Sequence, residues 1–205
     1  MLNEVRHNIY RRVTQTVIYF PHFISWVVTV SLTFFAVSVD IGFINKIIVA
    51  LGGNQITFLV MPNYFWPMIL IQSIWKEAGW GTIIFMAAIA NVDSQLYEAA
   101  IVDGASRMRR IFSITLPCIM PTIVVLLILR LGQIFDVGFE QILLMQNPMV
   151  RDVAEIFDTY SYNQGIRQGQ FSIGVAVGLF KSLVGLIFLM ASNTSVKKMG
   201  NEGVF

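Results

Sequence analysis

The sequence predicts an all-α integral membrane protein with about four transmembrane helices. Three observations carry that expectation. Of the 205 residues, 56% are hydrophobic and only 13% are charged, about half the charge of a typical soluble chain. The mean hydropathy is +0.68. Apolar runs near or above the roughly 20 residues that span a bilayer recur along the chain, with polar segments between them.

The first run covers 13–39 and carries no charge and a single proline, Pro21. A proline there should kink or restart the helix, because it lacks an N–H and its ring crowds the preceding turn. Segment 40–63 is broken by Gly42, Gly52, Gly53 and Pro62, and reads as an exposed loop holding a short amphipathic helix around NKIIVAL. A second span is expected over 64–91, interrupted by Lys76 and Glu77. The polar stretch 92–117 follows. The third span, 118–137, contains Arg130, and the fourth, 171–191, contains Lys181. Between them, 139–170 is rich in acids, glutamines and asparagines and long enough to pack as small helices. Gly174 and Gly178 have the spacing of a small-residue packing face.

Several function classes are excluded at this stage. A net charge of +2 with no basic block gives no footprint for nucleic acid. Cys118 is the single cysteine, and His7 and His22 are the only histidines. No disulfide within the chain, no metal site and no cofactor is therefore expected. Residues 1–12 are polar and basic, with no apolar run of a cleavable signal peptide behind them. The nucleotide-binding pattern G-x4-G-K-[ST] and the hydrolase patterns G-x-S-x-G and H-E-x-x-H do not occur. The run Asp103-Gly104-Ala105-Ser106-Arg107 loosely matches part of a phospholipid phosphotransferase core. It lacks the further aspartates that would hold divalent metal.

Lysine and arginine set the orientation. Arg6, Arg11, Arg12, Arg107, Arg109, Arg110, Lys197 and Lys198 fall on one side of a four-span threading, and Lys46, Arg151 and Arg167 on the other. Both termini and 92–117 are thus expected in the cytoplasm, with 40–63 and 139–170 external.

The segment richest in information is 92–117. Glu98, Ala99, Ala100, Gly104, Ile114, Leu116 and Pro117 spell E-A-A-x3-G-x9-I-x-L-P. Residues 96–103 can form a short helix, which Gly104 can end in the left-handed conformation that follows many helices. Ala99 and Ala100 are small enough to let another surface approach the backbone. Pro117 suits the first turn of the next helix, where its missing N–H costs nothing. This pattern resembles the cytoplasmic EAA loop in the permeases of binding-protein-dependent ABC importers. The runs YFPHFISWVV, IWKEAGWGTIIFMAAIA, PTIVVLLILR, DVGFEQILL and GQFSIGVAVGLFKS are similar to the LplB-type permeases of oligo- and polysaccharide importers.

The resemblance covers nearly the whole chain and implies a type I ABC-importer permease fold in the bacterial plasma membrane. It further implies ABC ATPase subunits, a second permease subunit in a heterodimer, an external sugar-binding lipoprotein and a carbohydrate substrate. ATP would be hydrolysed by the separate ATPase, so the chain itself is not expected to be an enzyme. The coupling residues it implies are Glu98, Ala99, Ala100, Asp103, Gly104, Ile114, Leu116 and Pro117. Family members usually have about six spans, and the opening resembles the loop before the third, so the first two are expected to be missing. Import of another solute, or a stand-alone four-helix channel or exporter, are the alternatives. The latter would have no use for a complete EAA loop.

Charges within apolar runs cost about 2.5–3.5 kcal/mol each at a span's centre, so Lys76, Glu77, Arg130 and Lys181 should face the bundle, a wet cavity or the interface. Lys76 and Glu77 lie about 100° apart on a helix and are poor partners for each other. Trp75 and Trp80 flank them, either as interfacial anchors or as platforms for sugar rings. Arg130, Gln133 and Asp136 follow at spacings of three, as one polar helix face along a pathway or a subunit contact. The candidate pathway set is thus Trp75, Lys76, Glu77, Trp80, Arg130, Gln133 and Asp136. Arg107, Arg109 and Arg110 could meet the ATPase or lipid headgroups. His22 reads as packed against a neighbour. Glu140 and Gln141 read either as a docking point for the binding protein or as a solvated loop start.

Overall fold

A computed structural model describes residues 8–198. Arg6 and His7 lie outside the described residues, as does the Arg11 side chain. All regular structure among the described residues is helical: α1 (Asn8–Tyr19), α2 (Trp26–Val37), α3 (Phe43–Ala50), α4 (Pro62–Ala90), α5 (Ser94–Val102), α6 (Arg107–Arg110), α7 (Leu116–Gly132), α8 (Phe139–Met145), α9 (Arg151–Ala154), α10 (Phe157–Ser161) and α11 (Phe171–Lys198). The described residues divide into two compact units, one of residues 8–80 and 136–180 and one of 81–135 and 181–198.

The first unit holds an apolar core built by α2, α4, α8 and α9: Val30 and Val37, then Phe65, Met68 and Ile69, then Ile142, Met145, Val150 and Ala154. On α4 the buried positions are Phe65, Met68, Ile69, Gln72, Lys76 and Gly79, a single stripe at helical spacing. In hydrocarbon, burying an apolar side chain gains little over leaving it to lipid, so close packing and polar links decide which helices meet. This unit is rich in such links. Asn45 is almost fully buried; its amide nitrogen donates to the carbonyls of Val37, Ser38 and Ile56, and its oxygen accepts from Ile56 N at 2.8 Å. One side chain thereby folds the whole connection from α2 through α3. Gln72 Nε2 donates to Thr33 Oγ1 at 2.7 Å, and Gln141 Nε2 donates to Gln72 Oε1 at 2.9 Å and to the Ile69 carbonyl at 3.0 Å. Ser73 Oγ completes the cluster by donating to Gln141 Oε1.

The second unit contains the last part of α4, then α5 to α7, and the C-terminal part of α11. Here Gly132 and Gly185 allow close packing of α7 on α11: a Cβ added at Gly185 would strike the Gly132 carbonyl oxygen, and one at Gly132 would lie 2.9 Å from Leu189 Cδ1. The contact between α7 and α11 is therefore made at Gly132 and Gly185, and of the pair Gly174 and Gly178 only Gly174 makes a close small-residue contact. Gly178 has open space around it, and Gly174 packs in the first unit against Gly165 and Ser161.

The spans differ from the four that the sequence suggests. Among the described residues, two continuous helices are long and apolar enough to cross a membrane, Arg107–Gly132 and Phe171–Lys198. The run 13–39 is broken: a 3₁₀ turn (Phe20–Phe23) follows α1, and the pair Arg12–Phe23 and Trp26–Val37 is bent by 99°. As one broken span this pair would make a third. By itself α2 rises only about 18 Å at about 1.5 Å per residue, short of the roughly 30 Å hydrocarbon layer. The break lies where Pro21 predicts it. Helix α4 is 29 residues long, but Lys76 and Glu77 dilute its apolar character.

Candidate functional site

The loop 92–117 lies entirely in the second unit. Asp93 caps α5, its carboxylate accepting from Gln95 N at 2.9 Å. At the other end Ala105 N donates to the Ala100 carbonyl and Gly104 N to the Ile101 carbonyl. With Gly104 at φ +71°, these two bonds form the Schellman ending of a helix. Any side chain at Gly104 would strain the backbone, although a Cβ there would meet open space. Glu98, Ala99, Asp103 and Gly104 are exposed, and Ala100 is half-buried. Leu96 and Val102 present apolar surface beside them, Val102 being 87% exposed. Tyr97, on the inner side, has its hydroxyl 2.8 Å from Thr115 Oγ1 and ties α5 to the next helix.

That next helix starts earlier than Pro117 suggests. Ser106 caps it by accepting from Arg109 N, and α6 then runs through a π turn (Ile111–Thr115) into α7 as one continuous helix. Pro117 is therefore inside the helix, ten residues beyond its start at Arg107. The π turn accommodates it. Leu116 N donates to the Ile111 carbonyl, five residues back, which widens the turn just before a residue that can neither donate nor tolerate a tight approach to the carbonyl four residues behind. Ile114 and Leu116 are half-buried. Between α5 and this helix lies a cleft of about 280 Å³ lined by Ala100, Asp103, Arg109, Arg110, Ser113 and Ile114. The Arg110 Nε is buried there without a hydrogen-bond partner.

The second candidate set lies in the first unit, at the break between α1 and α2. Lys76 is buried, and its ammonium donates to the carbonyls of Pro21, His22 (2.7 Å) and Ile24. These are carbonyls of the 3₁₀ turn and its end; that of Pro21 also accepts from Ile24 N at 3.1 Å, and those of His22 and Ile24 lie where the helical ladder is broken by the bend. The ammonium also lies 5.3 Å from the centre of the Trp26 ring. Glu77, about a quarter-turn away, is exposed and pairs through Oε2 with His22 Nδ1 at 3.1 Å. The His22 ring stacks on Trp80 with centroids 4.4 Å apart and planes 6° from parallel. His22 is thus packed against a neighbour, as expected, and also acts as a partner for Glu77. One face of Trp80 is covered by this stack, leaving less of it as a platform. Just below, a Cβ at Gly79 would collide with the Ile18 carbonyl oxygen, so α1 rests directly on the α4 backbone.

The other candidate residues are not gathered with these. Trp75 is 44% exposed and borders a largely apolar cleft with Thr29, Thr33, Phe43 and Gln72. Arg130 is exposed in the last turn of α7, where a cation complements the helix C-terminus. The polar helix face proposed for Arg130, Gln133 and Asp136 is not formed. Helix α7 ends at Gly132, Gln133 is its C-terminal cap, and Asp136 follows a turn. The apolar run to Val137 hides this ending, because Gly132 and the left-handed Gly138 (φ +73°) decide the backbone there. Gln141 is neither a docking point nor solvated. It is 1% exposed and bonded to α4, whereas Glu140 beside it is exposed. Sequence reasoning passed over Gln72, Thr33 and Asn45. The signal was available in part: Gln72 and Lys76 are polar positions on the otherwise apolar stripe of α4.

The geometry agrees with the comparison to known proteins. A family described as the binding-protein-dependent transport system inner membrane component matches residues 1–199. The chain belongs to this family. It is 57% identical over 205 residues to protein LplB of Bacillus subtilis (strain 168), the match covering 100% of this chain and 64% of LplB. The polygalacturonan/rhamnogalacturonan transport system permease protein YteP of the same organism is 53% identical, again over 100% of this chain and 64% of the relative. The chain thus spans about two-thirds of the length of either protein. Among solved structures, a bacterial alginate ABC transporter in complex with an alginate pentasaccharide-bound periplasmic protein contains a chain that superposes with a TM-score of 0.95. That match has 40% identity and covers 100% of this chain and 71% of the other. The fold is that of the type I importer permeases, and the family consists of membrane transport subunits.

Proposed function

We propose that this chain forms the transmembrane part of a permease subunit in an ATP-driven importer of oligosaccharides or polysaccharide fragments. The EAA loop would engage a separate ABC ATPase. Its movement would drive alternating access, in concert with a second permease subunit and an external sugar-binding lipoprotein. Both termini and 92–117 would be cytoplasmic, and 139–170 external. One observation supports the coupling role above others: Glu98 and Ala99 stand exposed on a short helix that is capped at both ends and tied to a membrane-length helix through Tyr97 and Thr115. A rigid helix with small exposed residues suits insertion into a groove, and its link to the long helix gives a path for movement. The sugar assignment is supported by the relatives, whose names include polygalacturonan, rhamnogalacturonan and alginate.

Ala99→Trp is the informative test, because Ala99 is exposed and the change leaves the Gly104 backbone unstrained. In a full-length transporter the variant should reach the membrane and lose sugar-stimulated ATP hydrolysis and uptake. Normal coupling with a tryptophan at this position would reject the assignment.

A further inference from the structure

We infer that the segment from Phe139 to Gln170 carries a binding cleft for a carboxylate-bearing sugar residue. The segment contains six charged residues, Glu140, Arg151, Asp152, Glu155, Asp158 and Arg167, so its average charge is negative. The fold sorts these charges. Arg151 and Arg167 both line an open cleft of about 620 Å³, and none of the four acids does. The remaining polar lining comes from Gln146, Asn147, Asn163 and Gln168. That volume lies within the about 300–1,000 Å³ common for small-molecule sites.

The lining is held in place by the surrounding structure. Asn147 is fixed from both sides, its nitrogen donating to the Leu59 carbonyl at 2.8 Å and its oxygen accepting from Met149 N. Asn163 and Arg167 belong to the π turn Tyr162–Arg167, which the bond from Gln168 N to the Asn163 carbonyl closes. Buried Gly165 anchors this turn, with room for only a hydrogen between it and Gly174 on α11. Such turns re-aim side chains and recur at functional sites. The Gln146 Nε2 is buried with no hydrogen-bond partner, a donor in want of an acceptor.

The chemistry selects the ligand. Asparagine and glutamine amides both donate and accept, as sugar hydroxyls require. Two arginines without a lysine match a planar carboxylate, to which the guanidinium can donate two parallel hydrogen bonds. Leu143 and Pro148 give an apolar edge for the C–H face of a ring. Glu155 competes weakly, because its contact with Arg151 Nη2 is 3.4 Å long and exposed. A hexuronate residue of an oligosaccharide satisfies all of these features. The inference rests on the proposed sugar permease and narrows its substrate to acidic saccharides.

The test uses the purified chain in phosphatidylcholine nanodiscs and saturation-transfer NMR with tri-galacturonate, maltotriose and inorganic phosphate. Tri-galacturonate should bind saturably and in preference to both others. Arg167→Gln should weaken it about tenfold, the loss of one charge-assisted contact. Arg151→Gln, at a half-exposed position, provides the second variant, and each must melt at the wild-type temperature to be read. Equal binding of maltotriose, preference for phosphate, or unchanged affinity in both variants would overturn the cleft. Loss of binding-protein docking in Arg167→Gln with no tri-galacturonate binding would reassign it as a protein contact. In a full-length transporter, neutral-sugar uptake that persists in the variants leaves the permease reading standing on its own. If the unaltered transporter takes up neither sugar, the permease reading is what fails.

Discussion

Lys76 and His22 are joined twice, once directly and once through a neighbour. The Lys76 ammonium takes the His22 backbone carbonyl at 2.7 Å, while the His22 ring pairs with Glu77, the next residue on α4, at 3.1 Å. Adjacent charges that cannot pair on one helix are thus both satisfied by the same bend in another. The break between α1 and α2 exposes carbonyls, and a buried cation on α4 collects them. Charge within an apolar helix here fixes the angle of a broken segment.

Lys76→Met should therefore destabilise the protein by about 2–3 kcal/mol, since hydrogen bonds to charged groups are worth about 1.5–3 kcal/mol and the carbonyls of His22 and Ile24 would lose the ammonium donor. Glu77→Gln should cost under about 1 kcal/mol, because its pair with His22 is largely exposed. Thermal unfolding of the two variants in detergent checks the ranking, and equal losses would contradict it.

Gln141 and Gln72 should behave as one unit. Gln141→Leu removes the partner of Gln72 Oε1 and Ser73 Oγ and the second donor to the Ile69 carbonyl, and should cost about 2 kcal/mol. The double variant with Gln72→Leu should cost clearly less than the sum of the single changes. A double-mutant cycle by chemical unfolding measures the coupling, and strict additivity would mean the network contributes no coupling.

Asn45→Ala should loosen the connection from α2 to α4, because four hydrogen bonds to two segments of backbone, at Val37–Ser38 and at Ile56, are lost together. The expected outcome is proteolytic cleavage within 51–57 under conditions where the wild-type chain is intact. Asn45→Asp should behave similarly, since a carboxylate accepts but cannot donate to the three carbonyls.

At Gly104, Asn should be tolerated better than Ala, and Ala better than Val, following the cost of a left-handed backbone for each side chain. Gly104→Ala should cost about 1 kcal/mol. Helix content and melting temperature in micelles provide the readout. A valine variant as stable as wild type would mean the Schellman ending is not kept.

Topology can be checked at Asp152, which is exposed and carries none of the anchoring bonds of Asn147. With Cys118 replaced by serine, Asp152→Cys should react with a membrane-impermeant thiol reagent in intact cells. Reaction only after permeabilisation would place 139–170 in the cytoplasm.

The sequence by itself determined the helical class, the membrane character, the break near Pro21 and the form of the short helix α5 that Gly104 ends. Each of these depends on local chemistry. Apolar composition selects the solvent, proline interrupts a nearby turn, and Gly104 ends α5 because only its own backbone is involved. Tertiary structure decided the rest. Whether Lys76 meets substrate, lipid or the carbonyls near His22 depends on a segment more than fifty residues away. Gln141 opens a polar stretch in the sequence, yet it is buried because α8 folds back onto α4. Arg130, Gln133 and Asp136 keep helical spacing in the sequence, but the helix stops at Gly132. Periodicity reports which side chains could share a face while the helix lasts. It carries no information on where the chain turns, or on which distant carbonyl the turn brings within reach of a donor.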